Sequence, residues 1–500
     1  MKAQVLLPKI FNFPFTYNSN KLNLKIGDLV EVPFGKKIEL GVVWKSNHEE
    51  FKDIHYKDII KKTGYSIDEK LVNYIEWFSI YNLVPLGLTL KMAIGNLKNF
   101  PKKNDKIFDL KKFKLNKYIL NKEQKFALSF LEKIKNRFDV TVLQGVTGSG
   151  KTLVYFERIK KILQEKKQAL VLLPEIFLTN EFKFRVQNFF GFEPAIWHSK
   201  ITPKNKRIIW HGINKNKISL VVGARSSLLL PFKKLGIIIV DEEHDASYKQ
   251  DEGVIYNARD MAISRASFEN IPINLVTAVP SVETFENIKK GKYSVSKLHN
   301  RFKNASLPKY EIIKLNNKKL EKDSWISSEV LLKVEFHLQK GDQVLFFLNR
   351  RGYAPNALCK KCLKNYTCKN CSINLVFHKN KNFLLCHYCG FKTKVERNCS
   401  KDKFCDFVFY GPGVEKLFDE VKKKFPTQKI EIFSSDTIGK KNSSKILNEI
   451  IENKINILIG TQLISKGFHF PNLNCIVVVD IDLTSQGHDL RGTEKNLQLY

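Results

Sequence analysis

The sequence predicts an α/β fold of two parallel-sheet lobes, with a small N-terminal β-rich domain and a metal-binding insertion in the second lobe. Three observations predict it. From 139 to 290, apolar runs alternate with helical patterns, the runs falling at 140–143, 170–173, 219–222, 235–240 and 273–276. Near-continuous apolar strands with helices between them belong to a parallel sheet covered on both faces. A second alternating series follows, with strand-like runs at 344–348, 429–433, 455–459 and 475–479. Eight of the nine cysteines lie between 359 and 405, mostly in C-x2-C pairs, and interrupt that second series.

In chain order, residues 1–97 open with β-rich runs at 5–7, 28–35 and 40–44, then an amphipathic helix over 68–81. Residues 98–118 are Lys-rich, contain Pro101 and read as a linker. The first lobe spans 119–290. It opens on a helix with Asn121 as N-cap and Gln124 as its capping-box partner. The Gln124 amide carries both a donor and an acceptor, so it also suits an adenine edge. The second lobe comprises 291–355 and 409–500, with the cysteine module over 356–408.

The first strand of lobe one runs into Gly145, Val146, Thr147, Gly148, Ser149, Gly150, Lys151 and Thr152, and a helical pattern follows from Leu153. This is G-x-x-x-x-G-K-[ST] in a strand–loop–helix context, which marks a P-loop. Glycines let backbone N–H groups turn inward around phosphate oxygens, and the helix points its positive end at the same anion. Lys151 is expected on the β and γ phosphates of ATP and Thr152 on Mg2+. A second anchor is the apolar run 237–240 followed by Asp241, Glu242, Glu243 and His244. Carboxylates at the C-terminal end of a buried parallel strand sit where such sheets bind ligands. Asp241 is expected to hold Mg2+, directly or through water, and Glu242 to orient and deprotonate the attacking water.

The cysteine spacing is Cys359-x2-Cys362-x5-Cys368-x2-Cys371-x14-Cys386-x2-Cys389-x9-Cys399-x5-Cys405. A C-x2-C turn presents two thiolates from one knuckle, and Zn2+ takes four in a tetrahedron, so eight ligands predict two ions. Such pairs indicate metal in a reducing compartment rather than disulfides.

The formal charge of +34, from 84 basic and 50 acidic residues, points to a polyanionic partner. Arg occupies only twelve positions, so the excess is almost all Lys, which a coding bias also produces; charge is therefore supporting evidence. A hydrophobic content of 43% excludes a disordered chain. No apolar run approaches the ~18 residues that span a bilayer. The N-terminal apolar run is cut by Pro8 and Lys9, so no signal peptide is expected and the chain is expected in the cytoplasm.

Several linked motifs resemble one family, the PriA replication-restart helicases of superfamily two. They are the P-loop; 173–179; His198-Ser199; 223–226 with Pro231-Phe232; 241–250 followed by 256–260; 347–353; and 459–470. Phe15-Thr16-Tyr17 and 30–35 resemble that family's domain for a DNA 3′ end. The resemblance implies two RecA-like lobes, a 3′-DNA-binding domain and a zinc module. It implies ATP-driven 3′→5′ unwinding of stalled or branched forks, and restart of replication by primosome assembly. Implied partners are forked or single-stranded DNA, primosome and helicase-loader proteins, and single-stranded-DNA-binding protein. Arg225, Arg259 and Thr461 are implied DNA contacts, with donors suited to phosphates, and Tyr248 and Tyr256 are candidates either to stack on bases or to pack as loop aromatics.

The resemblance also implies nested zinc sites. Cys368, Cys371, Cys386 and Cys389 form the inner one; Cys359, Cys362 and Cys399 join Cys405 or Asp402 in the outer. Three departures from the family pattern are visible. Val279 replaces a hydroxyl residue in 277–280, the winged-helix region is reduced to the 98–118 linker, and the family's arginine motif does not precede Tyr500. The missing arginine motif implies weak hydrolysis by the chain as written. Val279 and that missing motif also motivate an alternative, a zinc-bearing, ATP-responsive fork-binding scaffold that recruits the replisome without unwinding. A third reading is an RNA helicase of the same superfamily.

Overall fold

The computed structural model describes residues 2–499 except 20–21, 46–54, 96–117, 134–136, 175–179, 302–307, 315–323, 349–355, 360–365, 372–373, 379–382, 387, 395–406, 411–412, 434–442, 462–463, 465–469 and 480–490. It divides into two compact units, Met1–Pro308 and Lys309–Tyr500.

The first unit begins with an antiparallel sheet of β1 (Lys2–Leu6), β2 (Phe15–Asn18), β3 (Asp28–Phe34), β4 (Lys37–Val43) and β5 (Lys61–Ser66), in the order β2-β1-β4-β3-β5. Alternation gives it two apolar faces. Val5, Val30 and Val32 pack on one side with Leu7 and Tyr17, while Leu6, Leu29 and Val42 turn to the helices α1 (Glu69–Tyr81) and α2 (Leu86–Ile94). α1 starts where expected, because the Asp68 side chain accepts the Lys70 N–H. Both helices pack on the following lobe: the Tyr74 hydroxyl of α1 donates to the Met261 carbonyl at 3.0 Å, and the Trp210 indole donates to the Ala93 carbonyl of α2 at 2.9 Å. One core therefore runs through both parts of this unit.

The lobe itself contains α3 (Lys122–Glu132), β6 (Asp139–Gly145), α4 (Lys151–Gln164), β7 (Gln168–Leu172), α5 (Asn180–Phe190), β8 (Ala195–Trp197), α6 (Pro203–Asn214), β9 (Leu220–Gly223) and β10 (Leu235–Asp241). It continues through the short pair β11 (Lys249–Gln250) and β12 (Tyr256–Asn257), then α7 (Ala258–Glu269), β13 (Pro272–Thr277), α8 (Val282–Lys289) and β14 (Ser294–Leu298). Among the described residues, seven strands pair in the order β14-β6-β13-β10-β7-β9-β8, and all six pairings are parallel. β13 lies between β6 and β10, so the C-terminal ends of all three emerge side by side. β14 corrects the boundary expected at 290. Its alternating Ser-Val-Ser-Lys-Leu gives no buried-strand signal, yet it pairs with β6 from Ser294↔Thr141 to Leu298↔Gly145 as the sheet edge.

The second unit contains α9 (Ser328–Gln339), β15 (Gln343–Phe347), β16 (Asn356–Cys359), β17 (Val376–His378), β18 (Phe383–Leu385), β19 (Lys392–Lys394), β20 (Phe407–Tyr410), α10 (Val414–Lys424), β21 (Ile430–Phe433), α11 (Ser443–Ile451), β22 (Ile457–Gly460), β23 (Leu473–Val478) and α12 (Gly492–Leu499). Its parallel sheet runs β21-β22-β15-β23 around Val344, Phe346, Ile457 and Ile459. β16 and β20 pair antiparallel, from Asn356↔Tyr410 to Cys359↔Phe407, and form the neck of the cysteine insertion. β17, β18 and β19 form a small antiparallel sheet inside it.

Candidate functional site

The phosphate loop connects β6 to α4. Gly148 and Gly150 have φ of +83° and +82°, left-handed values that favour glycine. A Cβ on Gly145 would lie 2.6 Å from Ser149 Oγ, and one on Gly150 would lie 2.4 Å from Gln124 Nε2, so the loop closes only without side chains there. Gly150 is the N-cap of α4 and has no side chain to offer, which leaves the first-turn N–H groups to an anion. Ser149 Oγ is buried without a partner among the described residues. Lys151 Nζ donates to the Gly145 carbonyl at 2.7 Å, holding the ammonium over the loop. Together these features fit a bound polyphosphate.

Gln124 makes the predicted capping box with Asn121. Its role as an adenine reader is corrected. The side chain is fully buried; Oε1 accepts the Asn121 N–H at 3.0 Å and Nε2 donates to the Ser149 carbonyl at 2.9 Å. The amide braces the loop from behind. Arg301, just beyond β14, braces it from another side, with Nε donating to the Thr147 carbonyl at 3.1 Å.

Asp241 ends β10 with its carboxylate fixed at both oxygens. Oδ1 accepts the Glu242 N–H at 3.0 Å and Oδ2 accepts the Tyr155 hydroxyl at 2.8 Å. Burial raises its pKa, against the pull of Tyr155 and the positive Lys151. Glu242 has φ +49°; a left-handed non-glycine residue costs about 1–3 kcal/mol and persists where the surroundings enforce it. Burial, and then the charge of Asp241, push the Glu242 carboxyl up to about 7. Two acids of different environment thus stand at one strand end, the arrangement for a metal-holding carboxylate beside a proton acceptor.

The next two residues tie this turn to the end of β13. The Thr277 hydroxyl donates to the Val279 carbonyl at 2.8 Å, so it accepts from His244 Nδ1, also at 2.8 Å. Position 279 enters through its backbone, and its missing hydroxyl breaks nothing in this chain of bonds. Glu243 is buried at the N-terminus of α8. Oε1 accepts the Ser281 N–H at 2.8 Å. Oε2 accepts the Ser281 and Thr284 hydroxyls at 3.0 and 2.9 Å, and Arg259 Nη1 at 3.3 Å.

The expected DNA contacts divide. Arg259 is 5% exposed and spent on Glu243, Asp260 and Ser281, so its reading as a DNA contact is corrected to an internal brace. Tyr248 and Tyr256 are 1% and 4% exposed. The Tyr248 hydroxyl reaches the carbonyls of Asp241 at 2.6 Å and Leu172 at 3.0 Å, and the Tyr256 ring meets Phe78 edge-on at 5.3 Å. Rings held in the core offer no face to a base, and the stacking expectation is corrected for both. Arg225 is partly exposed and donates to the carbonyls of Ser247 and Lys249 at 3.1 and 2.8 Å. Thr461, at the end of β22 in the second unit, is 5% exposed, which places its hydroxyl away from a surface contact.

Sequence reasoning passed over Tyr155, Glu243 and Arg301. Tyr155 carried a usable signal: it follows Thr152 by one helical turn on the same face of α4.

The second candidate site lies in the cysteine insertion. The sulfurs of Cys368, Cys371, Cys386 and Cys389 lie within 4.8 Å of one another. The separations Cys368–Cys389, Cys371–Cys386 and Cys371–Cys389 are 3.5, 3.4 and 3.8 Å, against about 3.8 Å for a tetrahedron of Zn–S bonds near 2.3 Å. Burial resists ionisation of Cys386, but the Cys389 and Tyr388 backbone N–H groups bring its thiol down to about 7. The donor set fits Zn2+. Cys359 ends β16, while Cys362, Cys399, Asp402 and Cys405 lie outside the described residues, as does most of the 98–118 linker. Among the described residues, no helix is long and apolar enough to cross a membrane.

Comparison with known proteins matches three family models. Residues 124–288 match a DEAD/DEAH box helicase domain, residues 4–95 a 3′ DNA-binding domain, and residues 368–394 the Cys-rich region domain of PriA DNA helicases. A replication restart protein PriA from Rickettsia conorii is 42% identical over 509 residues, covering 99% of this chain and 77% of the relative. The one from Haemophilus influenzae is 38% identical over 77% of this chain and 52% of its own length. A solved structure of RecG bound to a three-way DNA junction superposes with a TM-score of 0.40 at 16% identity, over 72% of this chain and 38% of that one.

Proposed function

The chain belongs to the PriA family of replication restart proteins, and from that premise we propose that it is an ATP-dependent 3′→5′ DNA helicase. It recognises stalled or branched forks and restarts replication by primosome assembly. The observation that supports this most is the grouping of Lys151, Asp241 and Glu242 at one sheet end, in a unit that also carries the 3′ DNA-binding domain.

In this reading Gly145 to Gly150 cradle the ATP phosphates, and Lys151 moves from the Gly145 carbonyl to the β and γ oxygens. Thr152 and Asp241 hold Mg2+, which when bound neutralises developing phosphate charge. Glu242 takes the proton of the attacking water. Its turn is fastened through Glu243 and His244 to α8 and Thr277, so a shift in that turn is felt across the lobe. Of the first-unit residues expected on DNA, Arg225 keeps a partly exposed side chain for a DNA phosphate. Cys368, Cys371, Cys386 and Cys389 hold one zinc ion; Cys359, Cys362, Cys399 and either Cys405 or Asp402 hold a second. The protein acts in the cytoplasm with helicase-loader, primosome and single-stranded-DNA-binding proteins.

A strand-displacement assay tests the proposal on forks whose free lagging strand is shortened from either end. Release dependent on ATP and on a 3′-tailed loading strand is expected. Tight fork binding without any released strand selects the scaffold reading, and preference for duplex RNA selects the RNA helicase.

A further inference from the structure

Tyr155 touches a residue assigned to the metal. Its hydroxyl gives its single proton to Asp241 Oδ2 at 2.8 Å. The ring is fully buried in α4, one turn beyond Thr152 and edge-on to Phe156 at 5.2 Å. With the Glu242 N–H on Oδ1, the Tyr155 hydroxyl fixes the plane of the Asp241 carboxylate and leaves a lone pair on each oxygen for other partners. Mg2+ demands near-ideal octahedral geometry and dehydrates reluctantly, so a carboxylate that must approach it benefits from being held in a fixed plane.

We propose that Tyr155 is a positioning residue for the nucleotide's Mg2+, holding the Asp241 carboxylate in one plane through its phenol hydroxyl. This rests on the reading of the phosphate loop and paired acids as an ATP·Mg2+ site. Tyr155 acts through Asp241, the carboxylate assigned to the metal. Outer partners of metal ligands, when removed, typically weaken metal binding by about 10- to 100-fold.

The test is Tyr155→Phe, which keeps the buried ring and removes one oxygen. Binding of a fluorescent, non-hydrolysable ATP analogue is measured in EDTA and across a Mg2+ titration. The proposal expects the half-saturating Mg2+ concentration to rise about 10-fold or more, with analogue affinity in EDTA and the melting temperature close to wild type. Tyr155→Met, which also lacks the hydroxyl, is expected to shift the Mg2+ titration in the same direction. An unchanged Mg2+ titration overturns the proposal. So does equal loss of affinity with and without Mg2+, and so does a Tyr155→Phe chain that fails to fold, because the hydroxyl then serves the fold alone. A wild-type chain whose analogue binding ignores Mg2+ removes the site reading itself, an outcome distinct from any behaviour of the variant.

Discussion

The two candidate ligand sites are built in opposite ways. The phosphate loop and paired acids stand on a seven-stranded sheet with apolar layers on both faces. Ser149 Oγ is buried there without a partner among the described residues, and Gln124, Tyr155, Glu243 and Arg301 secure the loops from several sides. The four-cysteine cluster instead sits on three short strands whose buried core is Cys368, Leu375, Phe377, Leu384 and Cys386, two of them the ligands themselves. In the first site the fold makes the geometry and the ligand arrives to it. In the second, the ion supplies what so small a core cannot, as in other small metal domains.

The largest expected effect breaks that contrast most directly. Structural zinc contributes about 10–16 kcal/mol in small zinc domains. Chelation, or Cys371→Ser, should therefore unfold the 368–394 segment while leaving nucleotide binding by the first unit intact. Limited proteolysis alongside nucleotide fluorescence checks this, and a module that stays protected after chelation contradicts the comparison. Next, Glu242→Gln should slow single-turnover ATP hydrolysis by about 10²- to 10⁴-fold with ATP affinity kept. A variant that still hydrolyses ATP normally means another group takes the proton.

Glu243→Ala sharpens the claim that the first site is fold-made. It strands Arg259, the Ser281 N–H and two hydroxyls in a buried setting. Removing one partner of such a buried charge pair is expected to lower unfolding stability by about 3–5 kcal/mol, read by urea denaturation. A change within experimental error assigns the network no structural role. The smallest effect is a pH dependence in the nucleotide-free chain. Glu242 titrates near 7 in the folded state against 4.5 when unfolded. Below 4.5 both states hold the proton; between 4.5 and 7 only the folded state does. Stability should thus fall as pH rises through this window, by up to about 1.4 kcal/mol per unit, and Glu242→Gln should flatten the slope.

Much of the first site is legible in the sequence because its signals are local. The phosphate loop, the capping box at Asn121 and Gln124, and the apolar run before Asp241 each span a few adjacent residues. What escaped depends on partners far apart in the chain. Glu243 reads as one more acid in a polar turn, and only folding brings Ser281, Thr284 and Arg259 to it. Tyr248 and Tyr256 read as loop aromatics, and composition does not reveal which side of the loop faces the core. β14 escaped because an edge strand can be short and polar on alternate residues. Gln124 shows a subtler limit. The residue type suits two tasks, and the structure commits one end of its amide to the α3 capping box and the other to bracing the loop.

The central claim is that Lys151, Asp241 and Glu242 act on one triphosphate whose cleavage answers to DNA. The most direct measurement is steady-state ATP hydrolysis, with forked DNA titrated in, for the wild-type chain and Lys151→Ala. The account predicts a rate that climbs with DNA and disappears in the variant. A rate indifferent to DNA, or one that survives Lys151→Ala, contradicts it.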